Sequence, residues 1–324
     1  MLVDGKWSKE WNPIQKKDKQ GRFIRQESQF RADLDADSVQ AIQNQDNNAS
    51  PRYCLYVGYI CPWATRTLIA RQLLGLEKYI SVGVVQPALT ENGWQFGHYQ
   101  GNDFTEQKTI RYIHELYTQA DPHYSGRATI PVLWDTQQHT IINNESSDIL
   151  RIFNNTLRPI HQSKIDLYPS SLHSEIDAFN ERIYHSFNNG VYRTGFASTQ
   201  AAYEEAVTEV FATLDYLETH FSQHAYAVGT QLTESDIKLF VTLIRFDVAY
   251  HGLFKTNLKR IEDYPAISAY MARLLKIPAF NHTTNIDHIK AGYYSIKALN
   301  PTGIIPSGPV LPWMSQLTTE ENNG

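Results

Sequence analysis

Cysteine is scarce, with two in 324 residues. That excludes a disulfide framework, and a reducing compartment, the cytoplasm, is expected. Long apolar runs are missing as well. No stretch approaches the roughly 18 residues of a membrane span. The first 20 residues mix Lys, Asp, Glu and Gln without an apolar centre, so no secretory signal is expected there either. Positive charge is in deficit, because 29 Lys and Arg stand against 34 Asp and Glu, a formal charge of -5. Such a balance supplies no basic field for nucleic acid or anionic lipid, and neither is expected as a partner. The 12 histidines show no compact ligand spacing. His282 and His288 share one stretch but lack a third partner at a suitable interval, so no metal is expected. What is present, 42% hydrophobic and 12% aromatic residues, describes an ordinary folded chain long enough for two domains with separate cores.

The most informative stretch is Arg52-Tyr53-Cys54-Leu55-Tyr56-Val57-Gly58-Tyr59-Ile60-Cys61-Pro62-Trp63-Ala64. Its first half is β-branched and aromatic and apolar on both alternating faces, the pattern of a strand buried within a parallel sheet. A helical pattern follows, with Ala64, Leu68, Ile69, Leu73 and Leu74 apolar and Arg66 and Arg71 expected to point outward. Cys61 then falls on the turn between strand and helix, and Pro62 suits the first helical position because it has no N–H to leave unpaired. Free amides and the positive end of the helix dipole favour a thiolate there. Cys54, inside the strand, reads as a small core residue. Ala64 occupies the position where a dithiol oxidoreductase carries its second cysteine. A one-cysteine site that forms a mixed disulfide needs a small external thiol such as glutathione to release it.

Residues 1–50 read as a polar N-terminal extension, with a solvated connector at Asn44-Gln45-Asp46-Asn47-Asn48. Within it, Gly21-Arg22-Phe23-Ile24-Arg25 and Ser28-Gln29-Phe30-Arg31 interleave aromatics with arginines, an arm expected to pack Phe23 and Phe30 on a neighbouring surface. Residues 51–156 supply a β-α-β unit ending in a strand at 79–85, an insertion at 87–125 with a helical stretch at 110–117, then a hairpin of strands 128–135 and 139–143. A helix at 145–153 closes the unit. Pro131 fits its strand if it opens it through a cis bond, presenting the Ile130 main chain to a peptide ligand. This order is the thioredoxin topology. Residues 157–298 are expected to be all-α, with helices at 176–187, 201–221, 234–250 and 266–275 and a capping box at Thr233-Glu234-Ser235-Asp236. The tail, 299–324, has too much proline and glycine for regular structure and is expected to wrap a surface.

A thioredoxin-like domain with a lone cysteine, a proline opening the third strand, a Glu-Ser pair at the last helix and an all-α partner resembles the glutathione transferase superfamily. Cys61-Pro62-Trp63-Ala64, Gly93-Trp94, Asp121-Pro122 with Gly126-Arg127, Ile130-Pro131-Val132-Leu133-Trp134-Asp135 and Asn143-Asn144-Glu145-Ser146-Ser147 are similar to one branch of it. So are Asn188-Asn189-Gly190-Val191-Tyr192, Thr233-Glu234-Ser235-Asp236-Ile237, Leu243-Ile244-Arg245-Phe246-Asp247 and Asn300-Pro301-Thr302-Gly303. That branch is the glutathionyl-hydroquinone reductases, the omega-like Xi class. The ordered set runs from about Gly21 to about Pro309. Departures are Thr65, Leu253, Thr256 and Gly292, where the family carries His, His, Cys and His.

The resemblance implies glutathione as co-substrate and glutathionylated hydroquinones as substrates. It implies that Cys61 attacks the glutathionyl sulfur to give a mixed disulfide, which a second glutathione releases as oxidised glutathione. Ser146 and the amides beside it would bind the γ-glutamyl carboxylate, and Glu145 the ammonium. Ile130 would pair its main chain with the cysteinyl backbone, and Trp94 and Arg127 fall at family positions that contact glutathione. Tyr192 and one of Tyr293 and Tyr294, with Tyr293 favoured, would bind the hydroquinone hydroxyls and assist proton transfer. Tyr250 matches a further family tyrosine. A homodimer formed through the helical domain is also implied. Two other functions share these residues: a cysteine-type thioltransferase or dehydroascorbate reductase, and a non-catalytic glutathione transferase-like binding protein.

Overall fold

The computed structural model describes residues 1–8, 17–46, 50–97, 110–161 and 163–317. Asn47 and Asn48 of the expected connector, the middle of the expected insertion and the end of the tail lie outside the described residues. The chain divides into two compact units, residues 1–12 with 27–165 and residues 13–26 with 166–324.

Among the described residues the first unit is built on six strands: β1 (Leu2–Val3), β2 (Lys6–Trp7), β3 (Tyr53–Val57), β4 (Ile80–Val84), β5 (Val132–Asp135) and β6 (Thr140–Asn143). β1 and β2 form a small hairpin, and the other four make one sheet in the order β4-β3-β5-β6. All five residues of β3 are buried, as its doubly apolar pattern requires. The sheet is mixed, however, and not parallel: β4 runs parallel to β3, while β5 is antiparallel to both β3 and β6. The reason is connectivity, since the short 136–139 turn can join only antiparallel neighbours. β5 starts at Val132, because Pro131 has no N–H for the ladder and the Ile130–Pro131 bond is cis. His139 belongs to the turn, at φ 52.

The helix after Cys61 spans Pro62–Leu73. Its two arginines correct the sequence reading. Arg66 is buried at 2% exposure, and Arg71 turns its guanidinium to the Ile80 carbonyl at 2.7 Å. The helix is enclosed on more sides than its apolar stripe suggested, so the arginines bury their stems and find oxygen partners inside. The helical stretch expected at 110–117 forms at Ile113–Ala120 and packs Ile113, Leu116 and Tyr117 into a core with Tyr56, Val132 and Trp134. The last helix of the unit, Ser146–Arg151, continues as a wide π turn over Ile152–Thr156. Phe30 lies against Tyr117 and Tyr124 at 5.7 and 5.6 Å.

The second unit is helical, as expected. Its main helices are His173–Ile183, Gly190–Gly195, Gln200–Phe221, Glu234–Arg245, Pro265–Leu274 and Ile286–Tyr294. The first and fourth run on as π turns over Tyr184–Asn188 and Phe246–Tyr250. At the start of Glu234–Arg245 the Asp236 carboxylate accepts the Thr233 N–H at 2.9 Å, which completes the expected capping box. The other end of the arm packs here. Gly21 sits at φ 84, where a Cβ would come 2.7 Å from Ser198 Oγ, and Ser198 N–H donates to its carbonyl at 3.1 Å. Phe23 is buried against Phe196, 5.6 Å between centroids. In the tail, residues 303–311 have no regular structure. Lys290 Nζ holds that stretch at the Ser307 carbonyl, 2.9 Å. Against the expectation of no regular structure, the tail then forms a short 3-10 helix over Pro312–Gln316, with Pro312 at its first turn, and Asn281 Nδ2 holds its end at the Gln316 carbonyl, 2.6 Å.

Candidate active site

In the first unit, Cys61 caps the helix Pro62–Leu73 in an extended conformation, and its side chain makes no capping bond to the helix amides. Two local contacts hold the turn. Cys61 N–H donates to the Gly58 carbonyl at 2.9 Å, and the Cys61 carbonyl accepts from Thr65 N–H and Oγ1, both at 3.0 Å. Thr65, a departure from the family residue, therefore secures the loop that carries the thiol. Cys61 is half-buried, and Sγ lies 3.6 Å from the Ile130 carbonyl. Strand end, helix start and the residue before Pro131 thus converge on one sulfur. No disulfide joins it to Cys54, which is buried in the core.

Ser146 and Glu145 meet at the start of the next helix. Ser146 is buried and receives Arg66 Nη1 at 3.5 Å, while the Arg66 guanidinium lies 4.4 Å over the Trp63 ring. Arg66 ties the cysteine helix to the serine, a role that its place on the helical wheel did not signal. Glu145 is half-buried and accepts Ser147 N–H and Ser28 Oγ, each at 3.1 Å. It therefore also caps its own helix. Asn144 supports the pair from behind, accepting Phe30 N–H at 3.1 Å and donating to Tyr117 Oη at 2.8 Å. Trp94 and Arg127 are both half-buried. Trp94 packs on the same core as Cys61, and its carbonyl accepts Ile113 N–H at 3.0 Å. The Arg127 carbonyl accepts Tyr124 Oη at 3.0 Å; burial pushes the Tyr124 phenol above the ordinary tyrosine range, and the Arg127 guanidinium opposes that rise.

In the second unit, three tyrosines bring their hydroxyls together. Tyr293 Oη stands 2.6 Å from Tyr192 Oη and 2.9 Å from Tyr250 Oη. Tyr250 and Tyr293 are buried, and burial pushes both phenols well above the ordinary tyrosine range. Phe254 packs on all three rings, at 5.1 to 5.7 Å. Tyr294 takes a different place: with Gly252, Leu253, Lys255, Asn300 and Ile304 it lines a cavity of about 470 Å³. Of the adjacent pair, Tyr293 is the one in the hydroxyl cluster. Leu253 faces that cavity, Thr256 is fully buried and Gly292 is buried beside Tyr293. Among the described residues, no group of three or more His, Cys, Asp or Glu could hold a metal ion. No helix among them is long and apolar enough to cross a membrane.

Comparison with known proteins gives a consistent result. Residues 60–156 match the glutathione S-transferase N-terminal domain and residues 200–273 the glutathione S-transferase C-terminal domain. Glutathionyl-hydroquinone reductase PcpF of Sphingobium chlorophenolicum is 47% identical over 96% of this chain and 97% of its own length. The crystal structure of the glutathione S-transferase Xi from Phanerochaete chrysosporium superposes with a TM-score of 0.84 at 45% identity, covering 92% of this chain and 96% of that one. The glutathione-bound structure of YqjG, from Escherichia coli K-12, gives 0.79 at 46% identity over 82% and 87%.

Proposed function

Because the chain belongs to the glutathione S-transferase family, in its Xi branch of glutathionyl-hydroquinone reductases, we propose that it reduces glutathionyl-hydroquinones to hydroquinones at the expense of glutathione. The observation that carries this reading is Cys61, placed at a helix start with the Ile130 carbonyl 3.6 Å from its sulfur. Main-chain amides at a helix start favour the thiolate, the form that attacks sulfur.

The steps follow from that group. Cys61 thiolate attacks the sulfur joining glutathione to the ring, an S–S bond forms and the carbon–sulfur bond breaks. Its electron pair passes to the ring carbon, which takes up a proton from a tyrosine hydroxyl. A second glutathione loses its thiol proton, which by way of solvent restores the tyrosine hydroxyl, and as thiolate attacks the Cys61–glutathione disulfide, so that oxidised glutathione leaves and the Cys61 thiolate returns. One glutathionyl-hydroquinone and one glutathione thus yield one hydroquinone and one oxidised glutathione. Ser146 and its neighbouring amides bind the γ-glutamyl carboxylate, Glu145 the ammonium, and Ile130 the cysteinyl main chain. Trp94 and Arg127 complete the glutathione contacts, with Arg127 reaching a carboxylate by a charge-assisted bond. Tyr192 and Tyr293 serve the hydroquinone ring. The enzyme works as a homodimer in the cytoplasm, where glutathione is kept reduced.

The test is mass spectrometry after incubation with glutathionyl-menadiol. A glutathione adduct on Cys61 and released menadiol are expected, and Cys61→Ser is expected to give neither. Full reductase turnover by the serine variant would refute the covalent route.

A further inference from the structure

The arm that interleaves arginine with aromatics ends on the tyrosine cluster of its own unit. Gly21 is bound to Ser198, Gln20 to Thr199 Oγ1 at 2.8 Å, and Arg22 to Glu205 at 2.7 Å. Phe23 is buried on Phe196. These four anchors deliver Arg25. Its Nε donates to Asn189 Oδ1 at 2.8 Å, and its guanidinium lies over the Tyr192 ring with Cζ 4.8 Å from the centroid. Asn189 is 8% exposed and immediately precedes the helix that carries Tyr192, so the guanidinium is fixed relative to that ring.

Of the three tyrosines in the hydroxyl cluster, Tyr250 and Tyr293 are buried and Tyr192 is half-buried, which makes Tyr192 the member open to a substrate and, on the reductase reading, the proton donor. We propose that Arg25 is a positioning residue for this donor, its guanidinium holding the Tyr192 ring and stabilising the negative charge that Tyr192 gains when its proton passes to the substrate ring carbon. This inference rests on the reductase reading above.

Arg25 is well placed for that task among the charges around Tyr192. On the same helix Arg193 is spent on Glu205 and Glu209 of the packed helix Gln200–Phe221. Arg245 acts on Tyr250 and Tyr293. Phe196 and Phe254 present only apolar rings. A cation over an aromatic face favours the anionic ring, and guanidinium combines that with a planar edge for Asn189 in a way that an ammonium does not.

The test compares full-length wild type, Arg25→Gln and Arg25→Lys in steady-state reduction of glutathionyl-menadiol across pH. A control reaction, transfer of glutathione from a small mixed disulfide to Cys61, needs no ring protonation. Arg25→Gln is expected to lower kcat about tenfold with little change in KM, and to move the alkaline limb of the profile up by about one unit. The control rate should stay within about twofold. Arg25→Lys, which keeps the charge, should restore most of the limb but only part of kcat. A wild-type limb in Arg25→Gln would overturn the proposal. So would a parallel fall in both reactions with the limb unmoved, since that is the signature of lost packing alone. Wild type that charges Cys61 but releases no menadiol would instead overturn the reductase reading, and this inference with it.

Discussion

Replacing Asp236 by alanine removes the acceptor on which the start of the longest fully buried helix depends. Asp236 is fully buried, and its carboxylate takes four donors: Ala227 N–H and Tyr270 O–H on one oxygen, both at 2.8 Å, and Thr233 N–H at 2.9 Å and O–H at 3.2 Å on the other. The Thr233 hydroxyl can rotate to a new partner, which leaves two amides and one phenol buried without acceptors. At roughly 1 to 3 kcal/mol each, that loss is about 6 kcal/mol. Removing an ionised carboxylate from the interior offsets part of it. Burial raises the Asp236 carboxyl from 3.8 to about 6, a penalty of about 3 kcal/mol at pH 7. The net expectation is about 3 kcal/mol, and a fall in Tm of roughly 6 to 12 °C for a unit of this size.

The pH dependence follows from the same numbers. The folded value lies above the unfolded one, so this group's contribution is fully present below about 3.8 and is lost as pH rises through about 6. Wild type therefore gains from acidification through Asp236 and the alanine variant does not, while Asp247, also raised to about 6 by burial, acts alike in both. The gap between them should widen by about 2 kcal/mol between pH 7 and pH 4.5. Urea unfolding of both proteins at the two pH values measures it. A gap below about 1 kcal/mol at pH 7, or one that narrows on acidification, would refute the reasoning.

Two further predictions concern the tyrosine cluster. Tyr293→Phe removes the oxygen between Tyr192 and Tyr250, which orients the Tyr192 hydroxyl, and kcat for glutathionyl-menadiol should fall about a hundredfold, the low end for lost general-acid catalysis, with glutathione transfer to Cys61 unchanged in stopped-flow assays. Gly195→Ala would place a Cβ 2.4 Å from Phe254 Cγ, a ring atom that cannot swing away; overpacking of about 1 to 3 kcal/mol should appear in thermal melts, with the reductase rate reduced because Phe254 supports all three tyrosine rings.

The local frame around Cys61 is legible in the sequence. Cys61, Pro62 and the strand before them announce a thiol at a helix start, because local pattern alone fixes where a strand ends and a helix begins. Pro131 signalled its own place at the opening of a strand. The capping box at Thr233 and Asp236 was readable because capping acts across four residues. Helical periodicity places Arg66 outward because it describes a helix with one apolar face, whereas this one is covered on more sides and buries it. Strand direction is not legible in the same way, because burial on both faces does not distinguish a parallel sheet from the mixed one that forms. Arg25 was visible only as part of an arm, and no spacing rule links it to Tyr192, 167 positions away in the sequence.

By itself the sequence determined the elements whose causes are local: the buried strand, the lone cysteine at its end, the turn residues, the helix caps and the helical second half. Family likeness added an expectation of which residues meet glutathione and the ring. Only the tertiary structure decided which of two adjacent tyrosines joins the hydroxyl cluster. It also decided that Arg66 reaches Ser146 and that an N-terminal arm sets a guanidinium over Tyr192. Those outcomes depend on packing between segments far apart in the chain, where the free energy comes from burial and hydrogen bonding that no short window of residues contains.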